Sequence, residues 1–252
     1  MSATHSLHLP GHSRIHRAPA ETKIVAAVVA VSAVVATPRD MFWPFFVYAL
    51  LVLVVWRVAE IPLRWIAPRL LIELPFVVLA VLLPFAEGGP RTDFLGMSLS
   101  NQGLVAAWGI LVKGTLGVAV SLTLAATTSV RDLPGGLTRL RVPGLIVTIV
   151  VLMLRYVDVL VGEAMRMKVA RVSRGDDPRT FRQAGATARG AGALFLRAYE
   201  RGERVHVAML SRGFTGATPD YGSPIATTRS WLGAMVPAVG AVLVCLLAWW
   251  LR

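Results

Sequence analysis

Charge is scarce in this chain, acid is scarcer, and cysteine is nearly absent. Charged residues are 16% of the 252, against about 25% in a soluble domain, which argues against a water-soluble globular enzyme. Disorder is excluded from the other side, since 55% of the residues are hydrophobic, far more than an unfolded segment carries. The 14 Asp and Glu face 26 Lys and Arg, a net charge of +12. A single cysteine, Cys245, leaves no internal disulfide, no CxxC redox pair and no cysteine metal cage. It lies in the apolar run Val242 to Leu251, where it reads as a small packing residue. No GxxxxGK[ST] loop occurs, and Lys113-Gly114 stands in the reverse order, so ATP hydrolysis is not this chain's own work. Four of the five histidines, His5, His8, His12 and His16, share the N-terminal tail. Pro10, Gly11 and Pro19 oppose a helix there, so the tail reads as a flexible cytoplasmic extension rather than a metal-trapping face.

What is abundant is apolar sequence in blocks. Runs cover Ile24 to Ala36, Met41 to Trp56, Leu70 to Ala86, Gly103 to Thr128, Pro143 to Val161 and Trp231 to Leu251. The first two are separated by Pro38-Arg39-Asp40, a turn signal that makes them a helical hairpin. A cleaved signal peptide ending at Val34-Val35-Ala36 is the competing reading of the first run; the polar lead before it and the span straight after it oppose that. Trp43, Trp56, Trp65, Trp231, Trp249 and Trp250 sit near run ends, where an amphipathic indole prefers the headgroup layer. Lys113 falls inside the fourth run, as a functional candidate or as a charge buried against another helix.

The run from Pro143 decides the topology. Residues 162–229 hold twelve Lys and Arg against six acids, and positive charge beside spans stays cytoplasmic. Arg155 and Asp158 would be costly at the bilayer centre. The expectation is four spans with both ends inside, then a run from 143 to 161 that returns without crossing or lies in the membrane plane, and a last span. Residues 1–22 are then a cytoplasmic tail, 23–130 a four-helix transmembrane domain, 131–229 a cytoplasmic domain of long helices, and 230–252 a final transmembrane helix.

In that domain, Leu145 to Arg174 carries no proline, and 30 helical residues would extend about 45 Å. It ends in Ser173-Arg174-Gly175, followed by the turn signal Asp176-Asp177-Pro178. Further helices are expected from Arg179 towards Gly190 and from Ala193 to Arg212. The last places Leu194, Phe195, Ala198, Gly202, Val205 and Met209 on one apolar stripe, and ends in Ser211-Arg212-Gly213. Glycine after a helix with arginine in its last turn is ordinary C-terminal capping. The same tripeptide closing two helices beside the membrane admits a second reading: two equivalent plugs, each offering an arginine fork to a carboxylate.

Leu154-Arg155-Tyr156-Val157, Glu163-Ala164-Met165-Arg166-Met167, Ser173-Arg174-Gly175 and Ala208-Met209-Leu210-Ser211-Arg212-Gly213-Phe214-Thr215-Gly216 together resemble the CbiQ family. These are the transmembrane coupling (T) components of energy-coupling factor (ECF) ABC-type transporters. Leu124 to Thr128, Asp132-Leu133 and Leu140-Arg141-Val142-Pro143 are similar to the segment before the family's coupling helices. The resemblance implies an all-α integral membrane protein of about five transmembrane helices plus about three cytoplasmic or membrane-plane coupling helices, in a bacterial or archaeal cell membrane with its N-terminus inside. It implies a non-catalytic subunit without cofactor or metal, docked by Arg174 and Arg212 on two ABC-type ATPases and serving a separate substrate-binding membrane subunit. The implied cargo is cobalt, with nickel or a vitamin as alternatives. The family often has alanine where Ser173 and Ser211 stand, and Ala170-Arg171 is a weaker candidate for the first motif.

Other classes fit less well. A membrane enzyme would cluster acids or histidines at a membrane face, yet Asp132 stands alone, and Asp176-Asp177 with Asp220 has no metal-ligand spacing. A scaffold without a transport cycle fits the helices, and only the repeated plugs speak against it. Nucleic-acid binding explains the arginines less well than their place beside membrane runs.

Overall fold

The structure, a computed structural model, describes residues 8–11, 13–86, 91–94, 97–175, 184–216 and 226–251. His5, His12, Asp176-Asp177-Pro178, Arg179, Asp220 and the start of the loop after Ala86 lie outside the described residues. Within them the fold is helical, with one exception that the sequence did not signal: a two-stranded antiparallel hairpin of β1 (Arg91–Phe94) and β2 (Met97–Ser100), Arg91 opposite Ser100. Strands of four residues are too short to declare a period.

The chain divides at 136/137 and 222/223 into two compact units. In the unit that includes residues 8–136, α1 (Ala20–Ala36) packs on α5 (Asn101–Thr127) and α9 (Thr228–Trp250). Helix α2 (Trp43–Ala59) also packs on α5 and α9, and α4 (Leu74–Ala86) packs on α5. The third apolar run begins earlier than expected. Helix α3 (Leu63–Ile66) and a 3-10 segment (Ala67–Glu73) lead directly into α4. Pro68 and Pro75 sit at the starts of successive turns, where a missing N–H costs little, so the run is continuous.

Among the described residues four helical stretches are long and apolar enough to cross a membrane: Leu63–Phe85, Asn101–Thr127, Gly144–Ser173 and Thr228–Trp250; Trp43–Ala59 is a shorter apolar helix. Val78, Val81 and Leu82 on α4 and Leu243, Leu246 and Leu247 on α9 are exposed. Outward apolar surface of this extent requires hydrocarbon around it. The protein is a multi-pass membrane protein.

Two buried clusters hold this unit together. One gathers Ala33, Val34, Phe45, Tyr48, Leu116, Ala241 and Cys245; the other gathers Trp56, Ala59, Ile61, Ile66, Ala119 and Ala126. Polar groups are placed where helices end. The last carbonyls of a helix have no partner within it, and those of α1 are met from outside: Lys113 Nζ donates to Val35 O at 2.7 Å and Trp249 Nε1 to Ala36 O at 3.0 Å. Helix α5 is treated alike. Lys23 Nζ donates to Thr127 O at 2.7 Å, and Leu9 N to Ala126 O at 3.0 Å. Lys113 is therefore a helix-capping charge, matched to the negative end of α1.

The described part of the N-terminal segment is not the flexible extension expected. Residues 8–11 and 13–18 form a strap whose Leu9 and Ile15 pack on the second cluster. The sequence suggested looseness through Pro10 and Gly11, but two apolar side chains and the free carbonyls of α5 anchor the segment. Among the described residues no group of three or more His, Cys, Asp or Glu is placed to hold a metal ion.

The unit that includes residues 137–175 is built on two long helices. Helix α7 (Gly144–Ser173) starts after Pro143 and runs unbroken for 30 residues. Helix α8 (Ala184–Ser211) corrects the expectation of two separate helices, 179–190 and 193–212. Glycine lowers helix stability by about 1 kcal/mol relative to alanine, and Gly190 and Gly192 do not suffice to break α8, which packs on α7 through Gly190 itself. The short α6 (Leu133–Arg139) precedes α7.

Candidate functional site

Both Ser-Arg-Gly triplets end helices, and they end them the same way. At the end of α7, the Arg174 N–H donates to Arg171 O and the Gly175 N–H to Val172 O, each at 3.0 Å. At the end of α8, the Arg212 N–H donates to Met209 O and the Gly213 N–H to Leu210 O, each at 3.0 Å. The φ angles of Gly175 and Gly213 are 80° and 81°, in the left-handed region that closes a helix and that glycine adopts without penalty. After α8 the Phe214 N–H also reaches back to Met209 O at 3.0 Å, completing a Schellman-type closure.

The serines that departed from the family pattern have a local role. Ser173 Oγ donates to Val169 O and Ser211 Oγ to Val207 O, both at 3.0 Å. Each hydroxyl is satisfied four residues back along its own helix, so it asks nothing of a binding partner. All six residues, Ser173, Arg174, Gly175, Ser211, Arg212 and Gly213, are exposed. Neither Arg174 nor Arg212 forms an ion pair among the described residues. Arg171, the arginine of the weaker candidate motif, is committed elsewhere: its Nη2 donates to Thr187 Oγ1 of α8 at 3.2 Å.

Helices α7 and α8 run antiparallel. Met167 and Arg171 lie against Gly190, while Glu163, one to two turns earlier on α7, pairs with Arg197 and Arg201, two to three turns later on α8. The two arginine ends consequently lie at opposite ends of the pair. The 28 residues of α8 set their separation at about 40 Å.

The expected apolar stripe of α8 is rotated in the structure. Leu194, Ala198, Val205 and Met209 are partly buried as expected, but Phe195 is 68% exposed and Gly202 is exposed as well. Arg201 takes the inward place, because its guanidinium is drawn to the Glu163 carboxylate at 3.6 Å. Glu163 is the residue whose part sequence reasoning missed. Its partners lie 34 and 38 positions away, and nothing in a spacing rule links them.

Comparison with known proteins follows the same lines. The family described as cobalt transport protein, CbiQ, matches residues 11–221. Cobalt transport protein CbiQ of Rhodobacter capsulatus is 29% identical over 185 residues, 73% of this chain and 74% of that protein. The energy-coupling factor transporter transmembrane protein EcfT of Brevibacillus brevis is 26% identical over 263 aligned positions, 96% of each chain. A Methanocaldococcus jannaschii protein without assigned function is 35% identical over 113 residues, 43% of this chain and 41% of that one. With 211 residues spanned by the family match, the chain belongs to the CbiQ family of cobalt transport proteins.

Proposed function

We propose that this chain is the transmembrane coupling component of an ECF-type importer and that its most direct cargo is cobalt. In this reading it transmits nucleotide-driven motion from two cytoplasmic ABC-type ATPases to a separate substrate-binding membrane subunit. The observation that carries the reading is the pair of exposed arginine ends, each closed by a left-handed glycine and free of ion pairs among the described residues. One such end is ordinary helix chemistry. Two that share a tightened last turn and a left-handed glycine, about 40 Å apart, fit two sockets on two separate subunits.

Arg174 and Arg212 each seat in a groove of one ATPase, pairing with a carboxylate there. A well-shielded contact of this kind contributes about 1.5–3 kcal/mol. When nucleotide draws the ATPases together, the two ends are carried with them, and α7 and α8 change angle. The exposed apolar side chains of these helices pass that change to the substrate-binding subunit. Both ends and the N-terminus face the cytoplasm, and the run from 143 to 161, although long and apolar enough as part of α7 to cross a membrane, returns without crossing or lies along the membrane plane. Arg155 and Asp158, both exposed, support that placement, since neither suits hydrocarbon. The descriptions of the family and of the Rhodobacter relative favour cobalt over nickel or a vitamin.

The test is charge reversal at both ends. The Arg174→Glu, Arg212→Glu double variant is expected to reach the membrane in normal amount and to lose co-purification of the ATPases, with either single change weakening it. Undiminished recovery of ATPases with the double variant would refute the docking role.

A further inference from the structure

The interface between α7 and α8 is thin in apolar contact. The large side chains of α8, Phe195, Leu196 and Tyr199, are exposed, and the face turned towards α7 offers Gly190, Leu194 and Ala198. Small side chains allow the helices to approach but do little to fix the angle at which they cross. The directional contact is ionic. Glu163 Oε1 accepts from Arg197 Nη1 at 3.0 Å, and Glu163 Oε2 lies 3.6 Å from Arg201 Nη2. The Glu163 side chain is 13% exposed, against 58% for Arg197 and 34% for Arg201.

No other carboxylate bridges α7 to α8 among the described residues. Asp158, Glu200 and Glu203 are exposed, and Glu200 pairs within its own helix with Arg204 at 4.0 Å. Arg171 adds a further cation to the same seam. Among the described residues Glu163 is thus the one carboxylate that joins the two helices by ion pairs.

We propose that Glu163, clasped by Arg197 and Arg201, sets the crossing of α7 and α8 and so keeps the two arginine ends at a fixed separation, making it the positioning residue that turns two docking events into one movement. The inference rests on the coupling reading for its consequence, though not for its geometry. A clasp at the crossing point acts on a lever. A small change of angle there is multiplied at helix ends some twenty ångströms away (about half the length of α8). With the clasp intact, an ATPase that moves one end moves the other. With it broken, both ends still dock, but the helices pivot independently and the stroke is lost between them.

The experiment uses the full transporter in nanodiscs, with Cys245→Ala as background and spin labels at Lys168→Cys on α7 and Ala208→Cys on α8. Both positions are exposed and outside the docking triplets, about 25 Å apart along the pair. With Glu163 present, pulsed electron paramagnetic resonance is expected to give one narrow distance distribution. Glu163→Gln is expected to broaden it and to lower uptake of radioactive cobalt ion about tenfold, within the usual range of coupling between sites, while ATPases still co-purify and hydrolyse ATP. Exchanging the charges, Glu163→Arg with Arg197→Glu and Arg201→Glu, restores the narrow distribution. A Glu163→Gln distribution as narrow as that of the unaltered protein overturns the proposal, whatever the uptake. Failure of the coupling reading shows differently: ATPases absent even from the unaltered preparation, with the distance measurement still reporting on the clasp.

Discussion

Gly175 and Gly213 offer the sharpest test of how the arginine ends are presented. Nothing lies within 4 Å of a Cβ added at either position, so alanine there meets no steric resistance and acts through the backbone alone. At φ near +80° an L-residue with a Cβ is disfavoured by about 1–2 kcal/mol, and asparagine by less, since it enters the left-handed region more readily. A penalty of 1 kcal/mol reduces the population of closed, arginine-presenting ends about fivefold. Gly213→Ala is therefore expected to weaken ATPase binding about fivefold, with Gly213→Asn nearer the unaltered protein and Gly213→Val worse than alanine through its branched Cβ. Gly175→Ala adds a similar factor, the two ends being far enough apart to act independently. The assay is a fluorescence titration of purified ATPases against the chain in nanodiscs. Equal affinity across the glycine, asparagine, alanine and valine series would refute the idea that cap geometry presents the arginine.

Two further predictions follow from the unit that includes residues 8–136. His16, with Nδ1 2.7 Å from Ser13 Oγ and its ring edge-on to His8, has its pKa held below the ordinary 6.5 by burial first and then by the positive charge of Lys23 and of His8, with Glu60 and a backbone bond to Leu9 opposing. The unfolded strap then binds protons more tightly than the folded one, so its stability is complete well above pH 6.5 and is lost as pH falls through that value towards the folded pKa. Amide protection factors in residues 8–11 and 13–18, that is, exchange rates taken relative to the intrinsic rate at each pH, should fall between pH 7.5 and 5.5, with His16→Gln removing the fall; equal protection profiles for the two proteins would contradict the assignment. Lys113→Met should lower the thermal stability of the detergent-solubilised protein by about 1 kcal/mol, the worth of a capping charge, and leave ATPase co-purification intact, with Lys113→Arg close to the unaltered protein. Lost cobalt uptake at unchanged stability would place Lys113 on a transport path instead.

Much of the architecture is legible in the sequence because a membrane protein writes its spans as composition. The apolar runs from Met41, Gly103 and Trp231 each became a helix close to its expected bounds, while the run from Pro143 became the first part of α7, whose 30 unbroken residues followed from the lack of proline between 144 and 173. The errors cluster where composition is silent. Gly190 and Gly192 read as a break, and packing on α7 carries α8 through them. Pro10 and Gly11 read as looseness, but Leu9 and Ile15 find a buried cluster contributed by residues more than 40 positions distant. Lys113 was ambiguous because its acceptor, Val35 O, is a backbone atom 78 positions away, and no side-chain pattern announces a backbone acceptor. The Ser-Arg-Gly repeats were visible as a motif, while the equivalence of their caps and the inward-turned serine hydroxyls needed coordinates. Glu163 lies in a stretch that resembles the CbiQ family, and its partners on α8, 34 and 38 positions on, are evident only with the two helices side by side.

Photo-crosslinking from the arginine ends tests the central claim most directly. With a photoreactive amino acid at position 174 or 212 of the intact transporter, each site should form an adduct with an ATPase subunit, in the absence of any change elsewhere in the chain. Adducts confined to lipid or to other membrane subunits, or reaction of either position with an impermeant reagent applied outside intact cells, would contradict the account.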